Sequence, residues 1–199
     1  MKRQRFWIRI VLVGGSIFIA FCIYYVQSHP LVFNESLWQH AHCMPQAASL
    51  FRLYAEENGG RFPFHANGYG DALLMTTPDR AWLYCLTGPG YGTSAFEEAL
   101  SSNGNVDENR CGRVYVQGLS ETNDARIAIL FDKVAAPPDH CHFPQRLWQG
   151  HVREVLFVDG DWRAVPVAQW LDFARQQVDF LVEAGFSKEH GQKLYDEAK

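Results

Sequence analysis

No acidic side chain occurs before Glu35, and no charged side chain of either sign lies between Ile10 and Val26. The 199-residue chain is also sparing with cysteine (five) and methionine (three). It holds no Cys-x-x-Cys pair, which removes the usual spacing of a structural zinc site and of a redox dithiol. It holds no Gly-x-Ser-x-Gly, the nucleophile elbow of serine hydrolases. Gly88-Pro89-Gly90-Tyr91-Gly92 is glycine-rich, but it lacks phosphate-binding spacing and no strand leads into it, so it reads as a loop. There is no internal repeat and no low-complexity tract. With a net charge of −4, no large basic face is available, which argues against nucleic acid as the main partner. What is present is a strongly apolar composition, 47% hydrophobic and 14% aromatic, which excludes disordered, collagen-like and coiled-coil chains. The length suits one domain with a real core.

The charge is unevenly placed. Lys2, Arg3, Arg5 and Arg9 give the first nine residues +4, and the remaining 190 carry −8. Ile10 to Val26 spans about 25 Å as a helix, and adding Phe6 to Arg9, with Arg9 snorkelling to the headgroups, reaches the ~30 Å of a bilayer core. The basic end predicts a cytoplasmic N-terminus and an extracytoplasmic C-terminal domain, with Tyr24 and Tyr25 at the interface. A cleaved signal peptide fits less well, because the run exceeds the usual ~7–15 apolar residues and small residues are poorly placed for cleavage. Ile19-Ala20-Phe21-Cys22 approaches a lipoprotein box, but bulky Phe21 stands where a small residue is needed. Gly14-Gly15-Ser16 would allow close approach of another helix, or is simply tolerated there.

In an exported domain, Cys43, Cys85, Cys111 and Cys141 suggest two disulfides in one of three connectivities, with four buried thiols as the alternative.

Beyond the apolar run, the sequence predicts helix, then sheet, then helix. Leu37, Ala41, Met44, Ala48, Phe51 and Ala55 recur at helical spacing, with a kink or fresh start at Pro45 and a stop at Asn58-Gly59-Gly60. Arg61 to Gly70 is turn-rich. Thr77-Pro78 reads as the start of a helix through Leu86, and Ser94-Ala95-Phe96-Glu97 as a capping box opening a helix to about Ser102. Arg113–Gln117, Arg126–Phe131, Glu154–Val158 and Trp162–Val165 are β-prone runs. Asp159-Gly160 signals a hairpin with a two-residue turn, and Gly118–Ala125 a second hairpin loop, so antiparallel pairing is expected. Val167, Trp170, Leu171, Ala174, Val178, Leu181 and Val182 form an amphipathic face ended by Gly185, and Ser187–Ala198 reads as a polar terminal helix. Trp162 and Trp170 are expected to pack between the hairpin and this helix, in preference to a sugar platform.

The only cluster of candidate ligands is His140, His142 and His151, with Asp139 and Asp159 nearby in sequence. Three histidines with an open position and Asp159 as general base would make a metal-dependent hydrolase. Against it stand the prolines Pro137, Pro138 and Pro144, the neighbouring Cys141 and the lack of any metal-binding signature; the expectation is therefore no metal and no cofactor. His40 and His42 have the wrong helical spacing to share a ligand, and Ser36 and Ser94 have capping roles.

Three stretches together suggest a family. Leu53-Tyr54-Ala55-Glu56-Glu57-Asn58-Gly59-Gly60-Arg61-Phe62-Pro63 resembles a pilin helix end and its turn; Val114-Tyr115-Val116-Gln117-Gly118-Leu119 resembles a first domain strand; His151-Val152-Arg153-Glu154-Val155-Leu156-Phe157-Val158-Asp159-Gly160-Asp161-Trp162 resembles a closing hairpin. In order, they resemble the pseudopilin-like proteins related to type II secretion and type IV pilins, in the His…Asp-Gly class of Planctomycetes-type bacteria. The prepilin processing signal is missing, with Phe6-Trp7-Ile8-Arg9 in its place, and the acidic residue that pairs subunits has no counterpart. The resemblance covers residues 10–166 and, with the charge and helical patterns on either side, gives an α+β protein: cytoplasmic tail 1–9, transmembrane helix 10–26, helical stalk 27–60, pilin-like α+β domain 61–166 with an antiparallel sheet, and a C-terminal helical extension 167–199. It implies a non-enzymatic, single-pass inner-membrane protein, with partners in the membrane and among envelope or secretion proteins. An oligomer is compatible with it. The rival is the membrane-tethered hydrolase; a third reading is a ligand-binding envelope module using exposed aromatics.

Overall fold

A computed structural model describes residues 43–77, 80–136 and 151–198, which belong to one compact unit, Gln39–Lys199. The expected transmembrane helix, cysteine Cys22 and histidines His40, His42, His140 and His142 lie outside the described residues. Among those described, no helix is long and apolar enough to cross a membrane.

The protein is α+β. The helix α1 (Cys43–Glu57) is followed by a short α2 (Tyr69–Leu74), a 3-10 helix (Arg80–Leu86), α3 (Ser94–Ser102) and a single 3-10 turn (Glu108–Arg110). Four strands come next, β1 (Arg113–Tyr115), β2 (Ala128–Asp132), β3 (Val152–Phe157) and β4 (Trp162–Pro166), before α4 (Val167–Glu183) and α5 (Lys188–Asp196). The strands form one antiparallel sheet in the order β1-β2-β3-β4, so each pairs with its neighbour in sequence. All four expected strands are present. Such a meander follows from short β-prone runs that pair with their neighbours in sequence, the commonest arrangement of consecutive strands.

Helices cover both faces of the sheet. Side chains alternate across a strand, so Tyr115, Leu130 and Leu156 share one face and Val114, Phe131 and Val155 the other. Phe51 of α1 packs on Tyr115 with ring centroids 5.0 Å apart. On the opposite face Phe131 meets Trp170 of α4 at 5.7 Å and stacks on Tyr195 of α5 at 4.5 Å. Covered twice, β1 and β2 are buried at every residue, whereas β4 is buried only at Val165. The buried side of α1 is Met44, Ala47, Leu50, Phe51 and Ala55; Ala48, expected there, is only half-buried.

The terminal helix, polar in composition, is docked. Ser187 caps it by accepting from the His190 N–H at 3.1 Å, and Leu194, Tyr195 and Ala198 are buried in the same core as the sheet. Residues 167–198 therefore share the core of residues 61–166, and α1 does too.

Several local expectations are corrected. The Asp159-Gly160 hairpin has a three-residue loop, Val158–Gly160, closed by Phe157 N–H to Asp161 O at 2.9 Å and Gly160 N–H to Phe157 O at 3.0 Å. Gly160 takes φ +82°, which gives a type I turn followed by a left-handed bulge residue where a two-residue turn would have needed two such positions. The cap of α3 is Thr93, one residue earlier than expected; its hydroxyl meets the Glu97 carboxylate at 2.6 Å, while Ser94 Oγ accepts from Arg110. Thr77 does not cap the following helix: its hydroxyl donates to Leu74 O, and Arg80–Leu86 is 3-10 in form. The stop after α1 is as expected, with Gly60 N–H reaching back to Ala55 O at 2.8 Å across left-handed Gly59.

An extra residue in β2 shifts its register against β3 between Ala128 and Leu130. The buried Gln177 of α4 bridges this place: its Oε1 accepts from Ala128 N–H at 2.8 Å, and its Nε2 donates to Arg126 O at 3.0 Å. One amide thus satisfies both a donor and an acceptor of the strand and fixes α4 on the sheet.

Candidate functional site

Two places concentrate polar chemistry. The first is a buried charge cluster where β1, β2 and β3 converge. Arg113 and Asp132 face each other across the β1–β2 pair, and their side chains are 2% and 1% exposed. Arg113 Nε donates to Asp132 Oδ1 at 3.0 Å, its Nη1 donates to Cys85 O at 2.6 Å, and its Nη2 lies 3.8 Å from Glu154 Oε2. Asp132 Oδ2 accepts from the Glu154 N–H at 3.1 Å. Burial pushes the Asp132 carboxyl up to about 7, with Arg113 opposing and Glu154 reinforcing the rise. Beside it Lys133 donates to Glu108 O, lies 3.4 Å from Glu197 and sits over the Tyr69 ring. Tyr69 in turn donates to Glu197 Oε2 at 2.9 Å, linking α2 to the end of α5. With one guanidinium held in three directions, this cluster is built to fix strands; a buried, fully engaged arginine is not placed to meet a substrate.

The second place is a groove of about 660 Å³ between α1 and the β3–β4 hairpin. Phe51, Phe62, Leu156 and Trp162 supply apolar lining, while Arg52, Glu121 and Asp159 are charged members of its wall. Trp162 is half-buried, and the three charged residues are exposed. Arg52 is paired along α1 with Glu56 at 3.2 Å. Neither Glu121 nor Asp159 has a cationic partner among the described residues; Asp159 Oδ1 accepts only the Asp161 N–H at 2.9 Å. The arrangement suits recognition of an apolar group next to a positive charge.

The histidine cluster is not assembled among the described residues. His151 is exposed just before β3, and Asp159 is exposed at the hairpin after it. The six-residue strand between them is about 17 Å long, so Asp159 cannot act as base to a metal held at His151. No group of three or more His, Cys, Asp or Glu able to hold a metal occurs among the described residues. Trp170 packs between the sheet and α4 as expected, but Trp162, opposite Leu156 in register, lies on the α1 face and not between the hairpin and the C-terminal helix, because side chains alternate across the strand. Sequence reading passed over His65, whose Nδ1 lies 3.5 Å from Asp71 Oδ2; the pair meets through a turn that carries no motif.

Of the disulfide candidates, Cys85 and Cys111 are buried and not joined to each other, and Cys111 is a free thiol. The side chain of Cys43 and all of Cys141 lie outside the described residues, and no bridge that would include Cys111 is closed. Cys111 Sγ sits 3.6 Å from Asp107 O, and burial pushes the thiol up to about 12. Alkylation of Cys111 by iodoacetamide at pH 8 is therefore expected to be at least ~100-fold slower in the native protein than in guanidinium, read by mass mapping. A native rate equal to the unfolded one would contradict the burial.

The protein was compared with known families, curated proteins and solved structures: no family model, no curated protein and no solved structure matches it.

Proposed function

We propose that the chain is a single-pass membrane protein whose domain lies outside the cytoplasm and acts by protein–protein contact in the cell envelope. The observation that carries this reading is the charge step at the start of the chain: +4 in residues 1–9, no charge in residues 10–26, and −8 from residue 10 onward. The groove between α1 and the hairpin supports contact as the mode of action, since it offers apolar lining beside exposed charge. A helix laid on an antiparallel meander agrees in outline with the pilin-like resemblance, which suggests a secretion or pilus-related assembly. The hydrolase alternative draws no support from the positions of His151 and Asp159 at opposite ends of β3.

The test is fractionation and topology of the full chain with a C-terminal epitope tag. It is expected in the membrane pellet after alkaline carbonate washing, and the tag is expected to be lost when protease is added to intact spheroplasts. Recovery in the soluble fraction, or a tag protected until the spheroplasts are lysed, would overturn the proposal.

A further inference from the structure

We infer that the groove between α1 and the β3–β4 hairpin binds a peptide segment of a partner protein that presents an aliphatic or aromatic side chain flanked by lysine or arginine. This inference deepens the contact role proposed above and rests on it. Three observations carry it. The floor of the groove, Phe51 and Leu156, is buried and apolar, and half-buried Trp162, Pro45 and Ala48 form its accessible apolar rim. Burying an apolar side chain there supplies the affinity, and an aromatic at the centre of such a surface is a typical anchor. Glu121 and Asp159 place two carboxylates on the wall with no cationic partner among the described residues, whereas the one basic wall residue, Arg52, is already paired with Glu56. A cation next to the apolar anchor would complete the charge pattern. Lastly, the chain from residue 10 onward carries −8, so its field draws a basic partner and repels a second copy of itself.

The charged positions are separable from the fold. Glu121 lies in the loop between β1 and β2, and its carboxylate makes no bond within the described residues. Asp159 contributes one turn bond to Asp161 N–H, which Asp159→Asn retains. Substitution at these sites thus tests recognition without removing core packing.

The probe is a fluorescein-labelled peptide alternating lysine with leucine and tryptophan, titrated by anisotropy against the full chain in non-ionic detergent, with detergent alone as blank. A second peptide carries glutamate for lysine. The basic peptide is expected to bind and the acidic one not. Glu121→Lys with Asp159→Lys should weaken the basic peptide about tenfold and admit the acidic one, as expected for charges at an interface rim. Glu121→Gln with Asp159→Asn should weaken the basic peptide several-fold, and Asp172→Lys on the exposed side of α4 should leave it unchanged. Equal binding of both peptides, no effect of the double reversal, an equal effect of Asp172→Lys, or a dimer that the double reversal dissolves would each overturn the inference. Membrane association and tag accessibility are measured independently, so a chain that is anchored but ignores the peptide refutes the groove alone. A chain that is not anchored refutes the function proposed above, whatever the peptide does.

Discussion

Arg113→Ala is expected to destabilise the domain by about 3–5 kcal/mol, the usual cost of removing one partner from a buried ion pair. The loss exceeds that of a surface pair because the guanidinium serves three partners at once: Asp132, the Cys85 carbonyl and Glu154. Without it, Asp132, at 1% exposure, keeps only the Glu154 N–H, with a second carboxylate close by. Arg113→Lys should recover only part of the loss, since one ammonium cannot reproduce a planar fork. The same cluster sets a pH dependence. The folded-state carboxyl of Asp132 titrates near 7, raised chiefly by burial, against about 3.9 in an unfolded chain. Between those values the native state binds the extra proton, so this group's stabilisation is complete below about pH 4, declines as pH rises towards 7 and is flat above. The decline is on the order of 4 kcal/mol. Urea denaturation of the wild type and Asp132→Asn from pH 4 to 8 reads it as a difference in slope. Parallel profiles for the two proteins would contradict the assignment.

The strands, the β1–β2 and β3–β4 hairpins and the major helix stops were legible because each rests on a local signal. Asp159-Gly160 can form a tight hairpin whatever surrounds it, Gly59-Gly60 ends a helix by backbone freedom alone, and Val167 to Val182 repeat at helical spacing. What escaped the sequence is what depends on partners far along the chain. Arg113, Asp132 and Glu154 look like ordinary charges in strand-like runs, and only the register across three strands shows them facing one another under α1 and the 3-10 helix. Gln177 looks like a solvent residue of an amphipathic helix until the β2 irregularity leaves Ala128 N–H and Arg126 O for it to satisfy. The groove shows the same division. Asp159 and Trp162 drew notice through the hairpin, whereas Phe51 and Glu121 come from segments whose meeting no periodicity announces. The terminal helix was read as polar from its composition. Its few apolar residues, Leu194, Tyr195 and Ala198, are nonetheless the ones that dock it.

That docking makes Phe131 the second position of large expected effect. Phe131→Ala should cost about 3–5 kcal/mol, as for a large aromatic removed from a core that cannot collapse around it. Phe131 is fully buried in the middle of the sheet, and its ring carries Tyr195 stacked at 4.5 Å with an interplanar angle of 8° and Trp170 at 5.7 Å. Aromatic pairs add about 0.5–1.5 kcal/mol each beyond the area they bury, so two are lost together. The loss should not be shared evenly. α4 retains Gln177 on β2, together with Val178 and Leu181 in the core, but α5 depends on Leu194 and Tyr195 for its hold. Hydrogen exchange should therefore quicken more over Lys188–Asp196 than over Cys43–Glu57. Tyr195→Phe gives the contrast. It keeps the stacked ring and deletes a buried hydroxyl that has no hydrogen-bond partner among the described residues, so it should stabilise the protein by about 1 kcal/mol. If the stack is what holds α5, the cost of Phe131→Ala should shrink when measured in a Tyr195→Ala background and persist in a Tyr195→Phe background. Equal costs in both backgrounds would place the hold of α5 elsewhere, on Leu194 and on the link from Glu197 to Tyr69 and Lys133.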